Sequence, residues 1–327
     1  MNTNQNLNLK TVKKGITFLI PALNEEESIE YTINLCKQFS KRNSEIPYEI
    51  LVSDNDSKDN TVSIAKKMGC NVITETKKGY GANIINGIKN SKYEYIIFGD
   101  ADGSYDFSDG RKFYDLLEDG FDLVMGNRFS NNKDYKMEKK SMPFLHKYFG
   151  NPILSFIARF MFQINITDFH CGLRAINKKS FKNGNIFLCK GMEFATEVVA
   201  IASKLRLKVA EVPIKLYVDK RKYTLPHLNT WRDGWRHLKF ILTMSHTKIF
   251  TNLAIFLLLI NLSFHLFYFL REFFELEILT NLNLVTSLFL NALSHVGLNL
   301  LILNIFLSKT VKTNYNIDFV ENEILQS

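Results

Sequence analysis

The chain has 327 residues, of which 46% are hydrophobic, 13% aromatic and 23% charged, which leaves room for about two structural units. This composition excludes an intrinsically disordered chain, and 16 Gly with 6 Pro exclude a collagen-like or low-complexity protein. The net charge of +8 is concentrated between Lys204 and Lys248, where there are 11 Lys or Arg and 3 Asp or Glu. A stretch this basic could meet nucleic acid, an anionic membrane surface or a phosphorylated substrate.

The cysteines and the N-terminus indicate a reducing compartment. The four cysteines lie 34, 101 and 18 positions apart, which fits neither a CxxC pair nor a zinc knuckle, so we expect reduced and mostly buried thiols. The first fifteen residues, MNTNQNLNLKTVKKG, lack the apolar segment of a cleavable signal. We therefore expect the first domain to stay in the cytosol.

The first 220 residues alternate β-branched runs with amphipathic helical patterns, which predicts a parallel sheet covered by helices. The predicted strands are Ile16–Pro21, Glu49–Asp54, Asn71–Thr74, Tyr95–Gly99 and Leu123–Gly126. The predicted helices are Glu26–Phe39, Thr61–Met68, Gly81–Asn90 and Arg111–Glu118. In such sheets ligands bind beyond the carboxyl ends of the strands.

Polar clusters follow three of these strands. PALNEEE follows the first and SDNDSKDNT the second, although Asn24 or Asp59 could equally well cap a helix. GDADGSYDF follows the fourth and places Asp100 and Asp102 on the same side of an extended segment. Two such carboxylates can hold Mg²⁺ or Mn²⁺ and leave coordination positions open for substrate phosphates. A divalent cation site is therefore predicted at this edge of the sheet.

Two long uncharged runs follow the basic stretch. Residues 249–270 contain 17 apolar residues among 22, and residues 278–308 form a second run of 31, which predicts a hairpin of two transmembrane helices. The acidic connection REFFELE and the basic flanks place both ends in the cytoplasm by the positive-inside rule. The alternative is a pair of buried core helices, which the Asn and His residues inside the runs favour: Asn261, His265, Asn291, His295 and Asn299.

An amphipathic helix precedes the first run. In HLNTWRDGWRHLKFIL the residues Trp231 and Trp235 share one face with Leu238 and Leu242, while basic residues occupy the other faces. We interpret it as an interfacial helix at the membrane surface, with a helix docked on the soluble domain as the alternative. Nucleic-acid binding is disfavoured because the basic stretch adjoins the predicted spans.

With these motifs in order, the chain resembles family 2 glycosyltransferases of the GT-A fold, and within them polyprenyl-phosphate glycosyltransferases such as dolichol-phosphate mannose and glucose synthases. The resemblance covers residues 16–242 and continues through KKGYGANIINGI, GNRF, TDFHCGLRAINKKSF, GMEFATEVV and EVPIKL. It implies an α/β GT-A, Rossmann-like domain over residues 1–226, then the interfacial helix at 227–247, the transmembrane hairpin at 248–312 and a cytoplasmic tail at 313–327. It further implies a multi-pass protein of the cytoplasmic (inner) membrane with a cytosolic catalytic domain.

The resemblance also implies roles for individual residues. Those matching the nucleotide site are Pro21, Asn24, Glu25 and Asp54. The metal site matches Asp100 and Asp102, and Asp102 and Asp168 are the candidate catalytic residues. Those matching the acceptor and phosphate region are Arg128, Arg174, Arg221 and Glu193. The stretch LPHLNTWRDGWRHLKF further resembles a bacterial, membrane-anchored subgroup with two C-terminal spans. Asp56 departs from the family, since glycine is common at its position, and Gly103 stands where that subgroup often has another carboxylate.

The implied reaction is inverting, metal-dependent transfer of a hexose, with glucose weakly preferred, to polyprenyl phosphate of the undecaprenyl type. The implied partners are a UDP- or GDP-sugar, Mg²⁺ or Mn²⁺, polyprenyl phosphate and membrane lipid, with no nucleic acid and with a homo-oligomer left open. The QxxRW motif of processive polysaccharide synthases lacks its glutamine here, which disfavours processive synthesis. The alternatives are transfer to a lipid or glycan hydroxyl, which would need a carboxylate base, and a catalytically silent membrane scaffold, against which the intact Asp100 and Asp102 argue.

Overall fold

A computed structural model describes residues 13–130, 132–144, 146–223, 230–244, 248–273 and 284–315. The chain divides into two compact units, Met1–Ile241 and Leu242–Ser327. The first unit carries the sheet and all the candidate site residues. The domain limits inferred from sequence, at residues 226, 247 and 312, stay predictions.

The first unit is built on a seven-stranded sheet with the order β3-β2-β1-β4-β6-β5-β7. The strands are β1 Lys13–Ala22, β2 Tyr48–Asp54, β3 Asn71–Thr74, β4 Tyr93–Phe98, β5 Leu123–Asn127, β6 Arg174–Asn177 and β7 Val209–Pro213. All five predicted strands are confirmed, with β4 beginning two residues earlier than predicted. The expectation of a parallel sheet is wrong at one position, because β6 runs antiparallel to both β4 and β5. Its tetrapeptide, RAIN, carries no sign of its direction, which is set by the connections around it.

Helices cover the sheet and lead out of it. Those that begin in the first unit are α1 Ile29–Arg42, α2 Thr61–Lys67, α3 Tyr80–Asn90, α4 Gly110–Glu118, α5 Asn151–Phe162, α6 Phe194–Lys204 and α7 Thr230–Met244. The helix predicted from Glu26 begins instead at Ile29, because the preceding residues form a turn in which the Ser28 and Ile29 N–H groups both donate to the Glu25 carbonyl. That turn keeps the acidic residues of PALNEEE at the strand end, beside the candidate site.

The core lies between the sheet and its helices. Phe18 on β1 contacts Phe39 of α1 and Phe107 edge to face, with ring centroids 5.0 and 6.1 Å apart. Each fully buried side chain of this size stabilises the fold by about 1.5–3 kcal/mol. The four cysteines are free thiols, as the sequence predicts. The loops that carry the candidate site residues follow the strands of this packed core.

The second unit contains two helices in contact, α8 Lys248–Phe273 and α9 Leu284–Tyr315. Polar residues pair between them: Asn261 donates to the Leu290 carbonyl at 2.9 Å, and His265 lies 3.2 Å from Asn291. Within the described ranges, no helix is both long enough and apolar enough to cross a membrane. The hairpin is therefore present, whereas the predicted transmembrane character of its helices is not confirmed.

Candidate active site

Asp54, the last residue of β2, has one carboxylate oxygen engaged and the other open. Its Oδ2 accepts the backbone N–H groups of Asp56 and Ser57, each at 3.1 Å. Asp56 has a φ of 67°, which explains why glycine is common at this position and why aspartate, which tolerates the left-handed region, can replace it. The Oδ1 atom of Asp54 is buried and has no partner in the described part of the chain. Such an acceptor suits a ligand N–H, such as the edge of a nucleobase.

The loop after β1 is tied to the loop after β2. The backbone N–H of Asn24 donates to Ser57 Oγ at 2.9 Å, and its side-chain Oδ1 accepts the Lys58 N–H at 2.8 Å. Pro21 lies in β1 and is paired with β2. Asn24 thus joins two loops, whereas Asp59 accepts the Thr61 N–H at the start of α2 and does serve a helix end. The predicted nucleotide residues therefore share one edge of the sheet.

Asp100 follows β4 at that same edge, and its surroundings raise its pKa. Burial, and secondarily the charge of Asp102, raise the pKa of Asp100 to about 7. Three groups act in the opposite direction, namely the charges of Arg128 and Arg221 and a hydrogen bond from Tyr80. The two carboxylates are consequently held close together against their mutual repulsion.

These two carboxylates fit a divalent cation. Burial also raises the pKa of Asp102, whose Oδ1 accepts the backbone N–H and the hydroxyl of Ser104 at 2.9 and 2.6 Å. A dication relieves the repulsion within such a pair, and Mg²⁺ commonly takes one or two carboxylates together with substrate phosphates. Among the described residues, no group of three or more His, Cys, Asp or Glu is arranged to hold a metal. Asp100 and Asp102 as the metal ligands stay a prediction.

Gly172 lies directly against Asp100. A Cβ atom at this position would lie 2.7 Å from Asp100 Oδ2 and 2.9 Å from the Tyr105 ring. The Gly172 N–H donates to the Tyr105 hydroxyl at 2.9 Å, so the glycine backbone is itself fixed. Neither Gly172 nor Tyr105 was singled out from the sequence, although CGLR was among the motifs that matched the family.

We predict that Gly172→Ala lowers transferase activity about 100-fold, because displacing a positioned group by about 1 Å typically costs that much. The methyl group must push the Asp100 carboxylate or the Tyr105 ring aside. Steady-state kinetics at saturating cation would measure the loss. Gly234→Ala in α7 is the matched control, since its Cβ would meet nothing within 4 Å. Equal activity of the two variants would show that Asp100 does not need its present position.

Arg221 connects the nucleotide loop to the aspartate pair. Its guanidinium lies 3.3 Å from Glu25 Oε1, 3.2 Å from Asp102 Oδ2 and 2.6 Å from Asp219 Oδ2. The arginine side chain is nearly buried. Burial raises the pKa of Glu25 to about 7, although the Arg221 charge opposes the shift. Arg221 therefore balances three carboxylates in the centre of the candidate site, and its predicted contact with acceptor phosphate stays a prediction.

Arg128 and Asp168 form a buried bidentate ion pair. Arg128 Nε and Nη2 donate to the two carboxylate oxygens at 2.7 Å each, and the Arg128 backbone N–H donates to Oδ2 at 3.1 Å. The Asp168 carboxylate has no solvent exposure. Asp168, predicted as catalytic, thus binds Arg128, which was predicted to hold acceptor phosphate. The arrangement fixes the guanidinium plane and engages two of its three nitrogens.

Arg174 and Glu193 differ in how many of their polar atoms are engaged. The buried Arg174 guanidinium donates to the backbone carbonyls of Cys171, Phe169 and Ala195. A phosphate could reach it only through its remaining N–H groups. Glu193 Oε2, in contrast, is buried without a hydrogen-bond partner in the described part of the chain. An open carboxylate oxygen of this kind can accept a hydroxyl from a substrate.

The KKGYGAN motif acts through close backbone packing. A Cβ atom at Gly79 would lie 2.2 Å from the Lys190 carbonyl oxygen, and one at Gly81 would lie 2.2 Å from that of Cys189. Between them, Tyr80 hydrogen-bonds Asp100. The motif was recognised in the sequence without a role for any residue. The sequence signal that could have assigned one is the pair of glycines at the start of a helix, which marks a close backbone approach.

Helix α7 packs against α6 through a neutral histidine. His237 Nδ1 lies 2.8 Å from the Thr196 hydroxyl on α6, and its ring meets that of His170 edge to face at 4.9 Å. Burial, followed by the charge of Arg174, lowers the pKa of His237 to about 4. Trp235 is exposed on another face, so this helix both docks and presents an aromatic surface. The interfacial assignment stays a prediction.

We predict that His237 makes the fold less stable in acid. Its pKa lies near 4 when folded and near 6.5 when unfolded, so its contribution is complete above pH 6.5 and is lost as the pH falls to 4. The loss amounts to roughly 3 kcal/mol, at about 1.4 kcal/mol per pKa unit. Urea denaturation midpoints, measured at pH 7.5 and 4.5 for the wild type and His237→Gln, would separate the contribution of His237 to stability from that of the carboxylates. His295→Gln, at an exposed histidine, is the control and should keep the pH dependence of the wild type. If the stability of His237→Gln depended on pH as that of the wild type does, the prediction would be contradicted.

Comparison with known proteins finds related sequences and related structures. Residues 17–184 match the profile of the family described as glycosyl transferase family 2. The chain is 30% identical over 237 residues to the low-salt glycan biosynthesis hexosyltransferase Agl6 of Haloferax volcanii, covering 72% of this chain and 55% of that protein. It is 33% identical over 226 residues to the UDP-N-acetylglucosamine–dolichyl-phosphate N-acetylglucosaminyltransferase of Methanococcus voltae, covering 62% of this chain and 85% of that one.

Among solved structures, the chain resembles glucosyl-3-phosphoglycerate synthase of Mycobacterium tuberculosis in complex with Mn²⁺, UDP and glucosyl-3-phosphoglycerate. The TM-score is 0.55 at 17% identity, over 72% of this chain and 81% of that one. At this identity the likeness concerns the fold, which is the α/β, Rossmann-like fold of GT-A enzymes.

Proposed function

Because the chain belongs to glycosyl transferase family 2 and is therefore a glycosyltransferase, we propose that it moves a hexose from a nucleotide-sugar to polyprenyl phosphate, with inversion at the anomeric carbon. The observation that carries the proposal is the meeting of Asp54, Asp100 and Asp102 at the carboxyl edge of β2 and β4. At one end, Asp54 Oδ1 is an open hydrogen-bond acceptor for a nucleobase. At the other end, Asp100 and Asp102 are carboxylates that can bind a cation together with the diphosphate. Since the chain spans 55% of the Haloferax relative, the activity of that whole protein is no more than a guide.

The donor is the nucleotide-sugar. Asp54 Oδ1 accepts an N–H of the base, while Asn24 and Pro21 hold the loops that flank it. UDP is favoured by two similarities, because the Methanococcus relative is named for UDP-N-acetylglucosamine and the mycobacterial structure contains UDP. A GDP-sugar remains the alternative donor, and glucose is the weakly preferred sugar.

Asp100 and Asp102 hold the divalent cation, Mg²⁺ or Mn²⁺. When bound, such a cation neutralises charge that develops on the leaving nucleoside diphosphate. The chain's own contribution is to keep both carboxylates in place through Ser104, Tyr80 and Arg221. A Mn²⁺ ion in the mycobacterial structure supports a cation of this type.

The acceptor is a lipid monophosphate. Its oxygen forms the new bond to the anomeric carbon while the bond to the diphosphate breaks and its electron pair leaves with the nucleotide. A phosphate is anionic at neutral pH and needs little help from a general base. Asp168 supports this assignment, because both its oxygens are bound by Arg128 and neither is available as a base. Arg128, Arg174 and Arg221 supply the positive field at the acceptor side.

A second candidate function is transfer to a lipid or glycan hydroxyl. The observation in its favour is Glu193 Oε2, a buried carboxylate oxygen that no described group engages. A base is required for a hydroxyl acceptor and dispensable for a phosphate. Glu193→Gln therefore separates the two: the phosphate reaction should fall less than tenfold, whereas a hydroxyl reaction should fall by about 10²–10⁴.

Attachment to the cytoplasmic membrane face is part of the proposal. The hairpin α8–α9 exposes large apolar side chains, among them Phe256, Leu262 and Phe289, and exposed patches of this kind commonly meet lipid or protein. Both chain ends lie in the cytoplasm, as the basic flanks predict. A cysteine placed in residues 274–277 should then react with an impermeant reagent from outside intact cells. Reaction only after permeabilisation would mean that the hairpin stays on the cytoplasmic side.

The experiment that tests the proposed donor is a panel of labelled nucleotide-sugars. The full chain in bilayers is given polyprenyl phosphate and each of UDP-glucose, UDP-N-acetylglucosamine and GDP-mannose, and lipid products are separated by thin-layer chromatography. We expect one donor to dominate and its product to have the inverted anomeric configuration by NMR. A retained configuration would contradict single displacement, and hydrolysis of every donor without lipid product would contradict the proposal.

A further inference from the structure

The imidazole ring of His170 has no hydrogen-bond partner for either of its nitrogens. Nδ1 and Nε2 are both buried, and neither is paired in the part of the chain that the structure describes. A neutral imidazole has one donor and one acceptor, and buried polar atoms in folded proteins are nearly always paired. Two unpaired atoms on one ring therefore indicate a side chain whose partner is supplied by a ligand.

His170 lies in a turn between two parts of the candidate site. A backbone hydrogen bond of 3.5 Å to the Asp168 carbonyl closes this turn, in which His170 is the third residue. Asp168 binds Arg128 on the acceptor side. Two residues after His170, Gly172 lies against Asp100. The imidazole is thus carried by the short segment that connects the acceptor-side ion pair to the predicted cation site.

Both the backbone and the ring of His170 are held in place. Arg174 donates to the carbonyls of the two residues that flank His170 in sequence, at 3.0 and 2.8 Å. The His170 ring meets that of His237 edge to face, with centroids 4.9 Å apart, and His237 is in turn paired with the Thr196 hydroxyl. A ring that is fixed by packing and by the hydrogen bonds of its neighbours is preorganised for a ligand.

The chemistry of the ring selects among the parts of the proposed substrates. Burial, followed by the charges of His237 and Arg174, holds the pKa of His170 well below its usual value, so the ring is neutral at physiological pH. A hydroxyl group matches a neutral imidazole, because both donate and accept. An ionised phosphate only accepts, a polyprenyl chain does neither, and the nucleobase is assigned to Asp54. Among these parts, the hydroxyl groups of the sugar fit the ring.

We propose that His170 binds a hydroxyl group of the transferred hexose and contributes to the choice of sugar. Glu193, one turn before Thr196, carries a further buried oxygen without a described partner, which offers a second acceptor for a sugar hydroxyl. The inference rests on the proposed function, since it requires a nucleotide-sugar donor. Binding of that donor can nevertheless be measured without a lipid acceptor.

The first test measures donor binding by the full chain in the presence of Mn²⁺. Calorimetry compares UDP-glucose, UDP-N-acetylglucosamine and GDP-mannose with UDP and GDP, for the wild type and His170→Phe. The phenyl ring keeps an aromatic contact with His237 and removes both nitrogens. We expect affinity for the preferred nucleotide-sugar to fall about fivefold or more, because a buried hydroxyl loses its partner, and affinity for the diphosphate to be unchanged. The same ratio of nucleotide-sugar to diphosphate affinity in both proteins would overturn the proposal.

A stability measurement separates sugar binding from a structural role. His170→Phe should not lower the urea midpoint of unfolding at neutral pH, because the lost nitrogens have no partner in the described fold. His170→Leu, which is smaller, guards against crowding by the phenyl ring. His237→Phe is the matched comparison and should be less stable, since its Nδ1 is paired with Thr196. Losses in both His170 variants as large as in His237→Phe would show that the fold itself pairs the His170 ring, and would overturn the proposal.

Monodeoxy analogues of the preferred nucleotide-sugar identify the hydroxyl group. One analogue should bind the wild type about fivefold or more weakly and should bind His170→Phe as the parent sugar does, because the variant has already lost that contact. If each analogue affected the variant as it affects the wild type, the proposal would be wrong. If His170 contributes to donor binding as expected and no lipid phosphate is glycosylated, the proposed function fails while the sugar contact stands.

Discussion

Asp100→Asn should reduce transferase activity by about 10³-fold, which corresponds to about 4 kcal/mol of transition-state stabilisation. The substitution keeps the shape of the side chain and removes the charge that a cation requires. Kinetics across a Mg²⁺ and Mn²⁺ series would measure the loss, and chelation of the wild type should reproduce it. Asp119→Asn, at an exposed aspartate after α4, is the control and should retain full activity.

The same variant should not be less stable without metal. The folded-state pKa of Asp100 lies near 7, above its usual value near 4, so the wild type loses stability as the pH rises from 4 through 7. Asp100→Asn removes that slope. Added Mn²⁺ should raise the melting temperature of the wild type and leave that of the variant unchanged, because a ligand stabilises only the state that binds it. Equal shifts in both proteins, or full activity in chelator, would exclude Asp100 as a metal ligand.

Asp168→Ala should cost about 3–5 kcal/mol of unfolding free energy, the usual cost of leaving a buried charge without its partner. Arg128 would then lose two side-chain hydrogen bonds in a site where the arginine side chain is only 8% exposed. Urea denaturation monitored by circular dichroism is the measurement. We expect Arg128→Ala with Asp168→Ala to cost less than the sum of the two single variants.

The exposed pair Arg111–Asp115 supplies the matched control. It joins the same two residue types at 2.6 Å, but both side chains are about half exposed. Asp115→Ala should therefore cost less than about 1 kcal/mol. If Asp168→Ala were as mild as Asp115→Ala, the buried pair would not exist in solution.

The predicted nucleotide and metal residues were accessible from sequence because they lie directly after strands. A parallel sheet brings the carboxyl ends of its strands together, so PALNEEE, SDNDSKDNT and GDADGSYDF had to share an edge once β1, β2 and β4 were identified. The positive φ of Asp56 follows equally from the turn that SDNDS makes. Local pattern and global topology agree at these positions.

The partners of the arginines were harder to predict, because they lie far away in the sequence. Arg128 meets Asp168 across 40 positions, and Arg221 meets Glu25 across 196. All four residues were identified as site candidates, but nothing in GNRF or in the residues around Arg221 shows which carboxylate each arginine binds. Strands β6 and β7 were also missed, because neither RAIN nor VAEVP contains a run of β-branched residues such as the VIT of the equally short strand β3.

The exposed apolar face of helix α5 was missed because apolar residues at helical spacing ordinarily indicate a buried face. The sequence around α5 shows apolar residues on more than one face, and only the structure shows that Ser155 and Ala158 are buried while Phe156 and Phe160 are exposed. The acid-free stretch around the helix was visible all along. Combined with apolar periodicity, it would have been the signal for a surface helix.

The most direct test of the central claim compares two acceptors that differ in one group. The full chain in bilayers receives its preferred labelled nucleotide-sugar with either polyprenyl phosphate or the corresponding polyprenol, and the glycosylated lipid is quantified. We predict product with the phosphate only, and loss of that product with Asp100→Asn. Efficient transfer to the polyprenol, or to a glycan hydroxyl in place of the phosphate, would contradict the phosphate-acceptor assignment.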